Sequence, residues 1–299
     1  MTAVSKALVR ERDLMEQLAK WLPCLVWAAV LASFPLSPAP AGEHYGWQAL
    51  DAEAADRLDE RFAPPPGFLR APSAHGSYAA FLRGLPLKPA GSWVMLYNGT
   101  PKFWSHPEAA VIAMDAGTRD LQQCADAVMR LRAEWLFSVG RFADIHFNAT
   151  SGDRLAYFRW RQGERPAVSG SAIRWQSQKP ADASYSSFRR YLDTVFTYAG
   201  TASLVKELQP VAMADIQIGD VVIVGGHPGH AILVVDLATD QKSGEKRFLL
   251  GQSFMPAQEF HVLKNPSTTD GSPWYAMPRN GVLETPEWTF ATTDLMRFP

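Results

Sequence analysis

Ile218-Gly219-Asp220-Val221-Val222-Ile223-Val224-Gly225-Gly226-His227-Pro228-Gly229-His230-Ala231-Ile232-Leu233-Val234-Val235-Asp236 consists of two apolar, β-branched runs joined by a Gly/Pro-rich turn. β-branched side chains suit a pleated surface, and Gly-Gly followed by Pro-Gly interrupts any helix, so the stretch predicts a β-hairpin. His230 opens the second strand. Gly229 before it and Ala231 after it leave the imidazole room to face a neighbouring element, and His227 sits in the turn itself.

Downstream, Arg247-Phe248-Leu249-Leu250-Gly251 predicts a third strand running into Gln252-Ser253. Upstream, Asp115-Ala116-Gly117-Thr118-Arg119-Asp120-Leu121-Gln122-Gln123-Cys124-Ala125-Asp126-Ala127-Val128 leads into a helical pattern that continues to about Phe137. Asp120 with Gln123 fits a capping box, which makes Asp120 the candidate N-cap and puts Cys124 in the first turn; a start at Thr118 is the alternative. In either case the thiol lies near the positive end of the helix dipole, where unpaired amides favour a thiolate and can donate to an oxyanion. Leu121, Cys124, Val128, Leu131 and Trp135 also share one helical stripe, so a packed core cysteine is the competing reading.

The chain has only two cysteines, and the first of them falls in a leader-like segment. Lys20 precedes the apolar run Leu22 to Leu36, which is followed by Ser37-Pro38-Ala39-Pro40-Ala41 with small residues at the last and third-last positions. This predicts a cleaved signal peptide over 1–41 and a single mature domain over 42–299. The run contains Pro23 and Pro35 and is shorter than the roughly 20 residues a spanning helix needs, so no stable membrane span is expected after cleavage. Removal of Cys24 leaves Cys124 as a lone thiol in a periplasmic or secreted protein, either buried and inert or kept for its reactivity.

The pairing of Gln123-Cys124 at a helix start with the later Gly-Asp-Val-Val-Ile-Val and Gly-His-Ala-Ile-Leu-Val-Val-Asp hairpin resembles the papain-like amidase and peptidase superfamily, and within it the CHAP amidases and NlpC-type cell-wall endopeptidases. The resemblance implies an α+β fold in which the cysteine-bearing helix packs on a central antiparallel sheet. It further implies that Cys124 attacks an amide carbonyl, that His230 takes the thiol proton, and that a polar residue on the next strand orients the imidazole. Gln252 occupies that third position, with Asp236 and His261 as alternatives. Gln122 and Gln123 are candidate side-chain donors to the oxyanion, with capping and solvent-facing roles as the competing reading. The strings Asp120 to Leu131 and Gln252-Ser253-Phe254-Met255-Pro256-Ala257-Gln258 also resemble a bacterial family described only as a domain of unknown function, which implies no activity.

The long stretch between Cys124 and His230 predicts an insertion over about 140–210. It comprises a strand pair, Ala143 to Ala149 and Arg154 to Trp160, and a helix from Ser184 to Tyr198 that stops at Gly200 and restarts at Thr201. Nearer the amino terminus, Asp51 to Phe62 and Ser77 to Leu82 read as helical, and Val94 to Tyr97 with Asn98-Gly99 as a hairpin turn. The Pro-rich segment Asn265 to Trp288 reads as an irregular loop over a sheet. Its Trp274 and Tyr275 are candidate substrate-binding residues, although sealing a core edge is the more common use of such rings.

Composition narrows the function classes. At 47% hydrophobic and 20% charged the sequence is that of a folded chain, and a net charge of -1 offers no electrostatic footprint for nucleic acid. His227-x-x-His230, even with His261, is a weak metal signal, because catalytic zinc sites take three ligands at defined geometry. No metal and no cofactor are therefore expected. The acidic residues show no pairing of the glycosidase kind. The sequence thus predicts an exported thiol hydrolase acting on an amide bond, with peptidoglycan or another peptide as partner. A non-catalytic periplasmic binding or envelope-associated protein on the same scaffold is the alternative.

Overall fold

A computed structural model describes residues 45–49, 54, 56–170 and 172–299. These lie within one compact unit, Glu43–Pro299. The predicted signal peptide and Cys24 fall outside the described residues. Among those residues no helix is long and apolar enough to cross a membrane.

The central hairpin forms as read and grows into a nine-stranded sheet. Its strands are β1 (Phe68–Arg70), β2 (Glu108–Val111), β3 (Gln209–Pro210), β4 (Val221–Val224), β5 (His230–Asp240), β6 (Lys246–Gln252), β7 (His261–Leu263), β8 (Tyr275–Ala276) and β9 (Leu295–Arg297). The order across the sheet is β2-β7-β6-β5-β4-β9-β3, with β8 also paired to β6 and β1 to β5. Every pairing is antiparallel. The helices are α1 (Leu58–Arg61), α2 (Tyr78–Arg83), α3 (Cys124–Ser138), α4 (Tyr157–Arg161), α5 (Tyr185–Tyr198) and α6 (Thr201–Glu207).

The β5 run is apolar at successive positions because both faces of the sheet are covered. Ala231, Leu233 and Val235 join Val128 and Leu131 of α3 in one core cluster. Ile232, Val234 and Leu237 join Phe248, Leu250, Tyr275, Phe290 and Leu295 in a second. A bulge between Val234 and Asp236 shifts the β5–β6 register.

This architecture corrects the papain-like α+β class. The molecule is dominated by the large antiparallel sheet, with four further two-stranded pairs, and most of its helices are short. Phe68–Arg70, and Tyr275–Ala276 within the stretch read as an irregular loop, pair into the sheet as short strands, β1 onto β5 and β8 onto β6. Asp51 to Phe62 is likewise corrected where it is described: Asp56–Arg57 pairs with Pro86–Leu87, and only Leu58–Arg61 is helical.

In the 140–210 stretch, His146–Asn148 pairs with Arg154–Ala156, but the chain turns helical at Tyr157 instead of continuing as strand to Trp160. Tyr157 is buried against Phe188 and Tyr191, so the aromatic core draws α4 onto α5. Ser184 caps α5 by accepting the Ser187 N–H. An additional pair, Glu164–Ser169 with Ala172–Ser177, occupies the stretch between these elements.

Candidate functional site

Cys124 is the first residue of α3, with Gln123 as N-cap. The helix therefore starts later than the Asp120 cap predicts. The Asp120 carboxylate is drawn off by the Ala257 N–H at 2.7 Å and the Gln123 Nε2 at 3.1 Å, while Asp126 Oδ2 accepts the Gln123 N–H at 3.0 Å and closes the turn. The β5–β6 ladder begins only at Leu233↔Gly251. Just before it, the Ala231 N–H turns to the Cys124 sulfur, which also faces the Ala125 and Cys124 amides. The segment after β6 holds the helix start in place, with the Ser253 hydroxyl donating to the Gln122 carbonyl at 3.2 Å.

The thiol is 7% exposed. Burial, with the Asp126 carboxylate adding to it, pushes Cys124 up to about 11, and the three facing N–H groups only partly oppose the shift. The resting site therefore holds a neutral thiol instead of the expected preformed thiolate. Asp126 is itself pushed up to about 8 by burial, so it too is neutral at physiological pH.

His230 Nε2 lies 2.9 Å from Gln252 Oε1. Both side chains are buried, and His230 is packed by Phe254 at 4.6 Å, Trp288 at 5.3 Å and Phe290 at 5.8 Å between ring centroids. Burial pulls its pKa down to about 4, against smaller opposing effects from Gln252 and Glu287, so the imidazole is neutral. A neutral ring that donates from Nε2 carries its lone pair on Nδ1.

Behind Gln252 stands a polar network that no local pattern announced. Gln252 Nε2 donates to Glu287 Oε2 at 2.7 Å and lies 3.4 Å from His261 Nε2. The Lys102 ammonium sits 2.7 Å from both Glu287 oxygens, and the Ser105 hydroxyl donates to the same carboxylate at 2.7 Å. These contacts link residues far apart in the chain, and in the sequence Lys102 and Glu287 are ordinary isolated charges.

The other sequence candidates have different places. Gln122 is buried with its Oε1 accepting from Arg130 at 2.6 Å and its Nε2 directed to the Asp115 carbonyl at 3.4 Å. With Gln123 held by Asp120, neither side-chain amide is free for an oxyanion. The backbone amides at the start of α3 remain as donors. Asp236 is fully buried near the middle of β5, where it pairs with Arg70 and Arg83, so it does not substitute for Gln252. His261 reaches the site only through Gln252. Trp274 and Tyr275 are buried, with the indole N–H donating to the Ala63 carbonyl and the Tyr275 ring stacked on Phe248. They are thereby corrected from substrate-binding candidates to core-sealing residues. Trp288 and Phe254, both half-buried, are the aromatic rings at His230. His227 is exposed in the turn, and among the described residues no three His, Cys, Asp or Glu side chains are grouped to hold a metal.

The fold and site together define an antiparallel-sheet protein with a buried cysteine at a helix start, its sulfur facing the Ala231 N–H, and a buried histidine one residue earlier that is hydrogen-bonded to Gln252 and not to the cysteine. The chain belongs to the family described as Domain of unknown function (4846), whose model matches residues 58–297. Neither a curated protein nor a solved structure matches the chain. The likeness to CHAP and NlpC-type enzymes accordingly rests on the two motifs alone.

Proposed function

We propose that this chain is an exported thiol hydrolase that cleaves an amide bond, with Cys124 as nucleophile, His230 as general base and Gln252 as its orienter. The observation that carries the reading is the 2.9 Å bond from His230 Nε2 to Gln252 Oε1. It leaves the Nδ1 lone pair as the basic position on the residue next to Ala231, whose N–H faces the Cys124 sulfur. Since thiol and imidazole are both neutral at rest, the proton passes from Sγ to Nδ1 as the sulfur attacks the carbonyl carbon. Backbone N–H groups at the start of α3 donate to the developing oxyanion. Collapse expels the amine, which takes the proton back from Nδ1; a water deprotonated by Nδ1 then attacks the thioester carbon, the C–S bond breaks, and the leaving sulfur takes that proton to restore the neutral thiol. The leader-like segment before residue 42 supports a periplasmic or secreted location. The motif resemblance to cell-wall enzymes supports peptidoglycan peptides as the substrate class.

Sacculi incubated with wild type and Cys124→Ala, followed by mass spectrometry of released muropeptides, test this reading. Release by wild type that is lost in the variant is expected; equal release from both, or none from either, refutes it. A second reading, a non-catalytic envelope-associated binding protein, is favoured by the burial of both Cys124 and His230. Retention of sacculus binding by both proteins without release distinguishes it.

A further inference from the structure

The hydrogen positions around Gln252 follow from chemistry, because its terminal amide touches groups that can play only one role. Glu287 is held by the Lys102 ammonium at both oxygens and by the Ser105 hydroxyl. Burial alone would raise Glu287, but these donors bring it below its usual value, so the carboxylate is ionised and can only accept. The end of Gln252 facing it at 2.7 Å must be the NH2 group. The opposite end, Oε1, is then fixed toward His230, and His230 Nε2 must carry the hydrogen that spans 2.9 Å.

His261 supplies an independent check on the same assignment. Its Nδ1 lies 3.0 Å from the Glu259 carbonyl, an obligate acceptor, so Nδ1 carries the hydrogen. Burial pulls the pKa of this ring down to about 4, so it is neutral and its Nε2 holds a lone pair. That lone pair faces the same Gln252 NH2 group at 3.4 Å. Each amide hydrogen thus has an acceptor and the amide oxygen has a donor. Turning the amide over would set its oxygen against the Glu287 carboxylate and the His261 lone pair, two buried repulsions in one movement.

We propose that Glu287 is a positioning residue: its charge, locked by Lys102 and Ser105, sets the Gln252 amide and through it holds His230 as the Nε2–H tautomer with Nδ1 as base. The proposal deepens the thiol-hydrolase reading, since only there does the choice of nitrogen serve a reaction. Glu287 hydrogen-bonds to neither thiol nor His230, and besides a smaller direct charge effect on His230 it acts through Gln252. Replacing it with glutamine removes the stronger constraint, because a second amide can donate as well as accept, and only the more distant His261 lone pair at 3.4 Å still opposes the turned-over amide. The turned-over arrangement then offers His230 Nε2 an N–H donor and moves the ring hydrogen to Nδ1, where it blocks the base.

Long-range 1H–15N spectra of the full chain, with ring signals assigned by His230→Gln and His261→Gln, read this directly. Wild type is expected to show a protonated Nε2 and an unprotonated Nδ1 for His230. Folded Glu287→Gln is expected to show averaged or reversed nitrogens at His230, with Cys124-dependent turnover down at least about tenfold. A protonated Nδ1 in wild type, or an unchanged His230 pattern in folded Glu287→Gln, overturns the proposal. Should that variant not fold, Lys102→Met tests the same charge: without the ammonium, Glu287 protonates at a higher pH, and the His230 pattern should mix there while wild type stays fixed. A pattern that stays fixed in that variant overturns the proposal as well. If the nitrogens behave as expected but wild type cleaves nothing, the positioning stands and only the hydrolase reading falls.

Discussion

Replacing Asp236 with alanine should destabilise the protein heavily while leaving the chemistry of the Cys124 site intact. Asp236 is fully buried, and each of its oxygens takes a guanidinium, Arg70 Nε at 2.7 Å and Arg83 Nε at 2.8 Å, with the Leu237 N–H adding a third donor at 2.8 Å. Removing one partner of a buried ion pair costs about 3–5 kcal/mol, because the remaining charge is left without compensation. Here two charges are stranded, but the Arg70 and Arg83 side chains are 22% and 11% exposed and can recover some hydration. We therefore expect the lower end, about 3 kcal/mol, against a total stability of about 5–15 kcal/mol for a folded domain. At roughly 2–4 °C per kcal/mol for a chain of this size, melting should fall by about 6–12 °C. Urea unfolding with an unchanged m-value, compared with wild type, measures the loss. A cost below about 1 kcal/mol would refute the buried-pair account. Loss of Cys124-dependent activity at undiminished stability would instead return Asp236 to the site as the orienter of His230.

Other outcomes follow from the same geometry. His230 and His261 both titrate near 4 in the fold against 6.5 when unfolded, so the unfolded chain binds more protons between those values; their contribution, on the order of 3 kcal/mol each at most, should be lost as pH falls from 6.5 to 4, and urea midpoints that stay flat across that window would contradict it. Asp126 works in the opposite sense: its raised pKa of about 8 means that its contribution is full below the unfolded value of 3.8 and is lost as pH rises through 8. Asp126→Asn should therefore change stability little near pH 4 and raise it increasingly between about pH 4 and pH 8, and a fall relative to wild type at pH 9 would count against a buried neutral carboxyl. Iodoacetamide labelling of Cys124 should accelerate only well above the ordinary thiol range, given a pKa near 11, and a rate plateau around neutrality would reveal a preformed thiolate. Gly229→Ala should cost about 1–3 kcal/mol by chemical denaturation, because its Cβ would lie 2.5 Å from both the Gly226 carbonyl oxygen and Thr201 Oγ1; a neutral substitution would show that the turn yields.

The parts of this molecule that were legible in the sequence are those whose cause is local. Val221 to Asp236 reads as a hairpin because β-branched residues and a Gly/Pro turn act within a few positions of one another, and the observed register of Val224 on His230 needs nothing more distant. Ser184 as a cap works the same way, since its hydroxyl meets an amide in its own turn. Gln252 stood out by its position at the end of the next strand, and the structure brings it to His230. The start of α3 was misplaced because Asp120, a sound local cap, is taken by the backbone N–H of Ala257 from across the chain.

The fold class failed for a related reason. β1 and β8 each add only a few residues to the sheet, and they pair with Ala238–Asp240 and Arg247–Phe248 across long sequence separations. Such strands are too short to show a period of their own, so the sequence offers the motif without the sheet that surrounds it. The Lys102–Glu287 pair is the extreme case, since neither residue lies in a pattern and the meaning of each appears only in contact. The amide they orient is the one that meets His230. A glutamine left to itself could present either end to His230, but against an ionised carboxylate it can present only its oxygen. The charge at position 287 thus converts an ambiguous side chain into a directional one, and a search for relatives with the same chemistry should weigh that distant acid together with the cysteine and histidine.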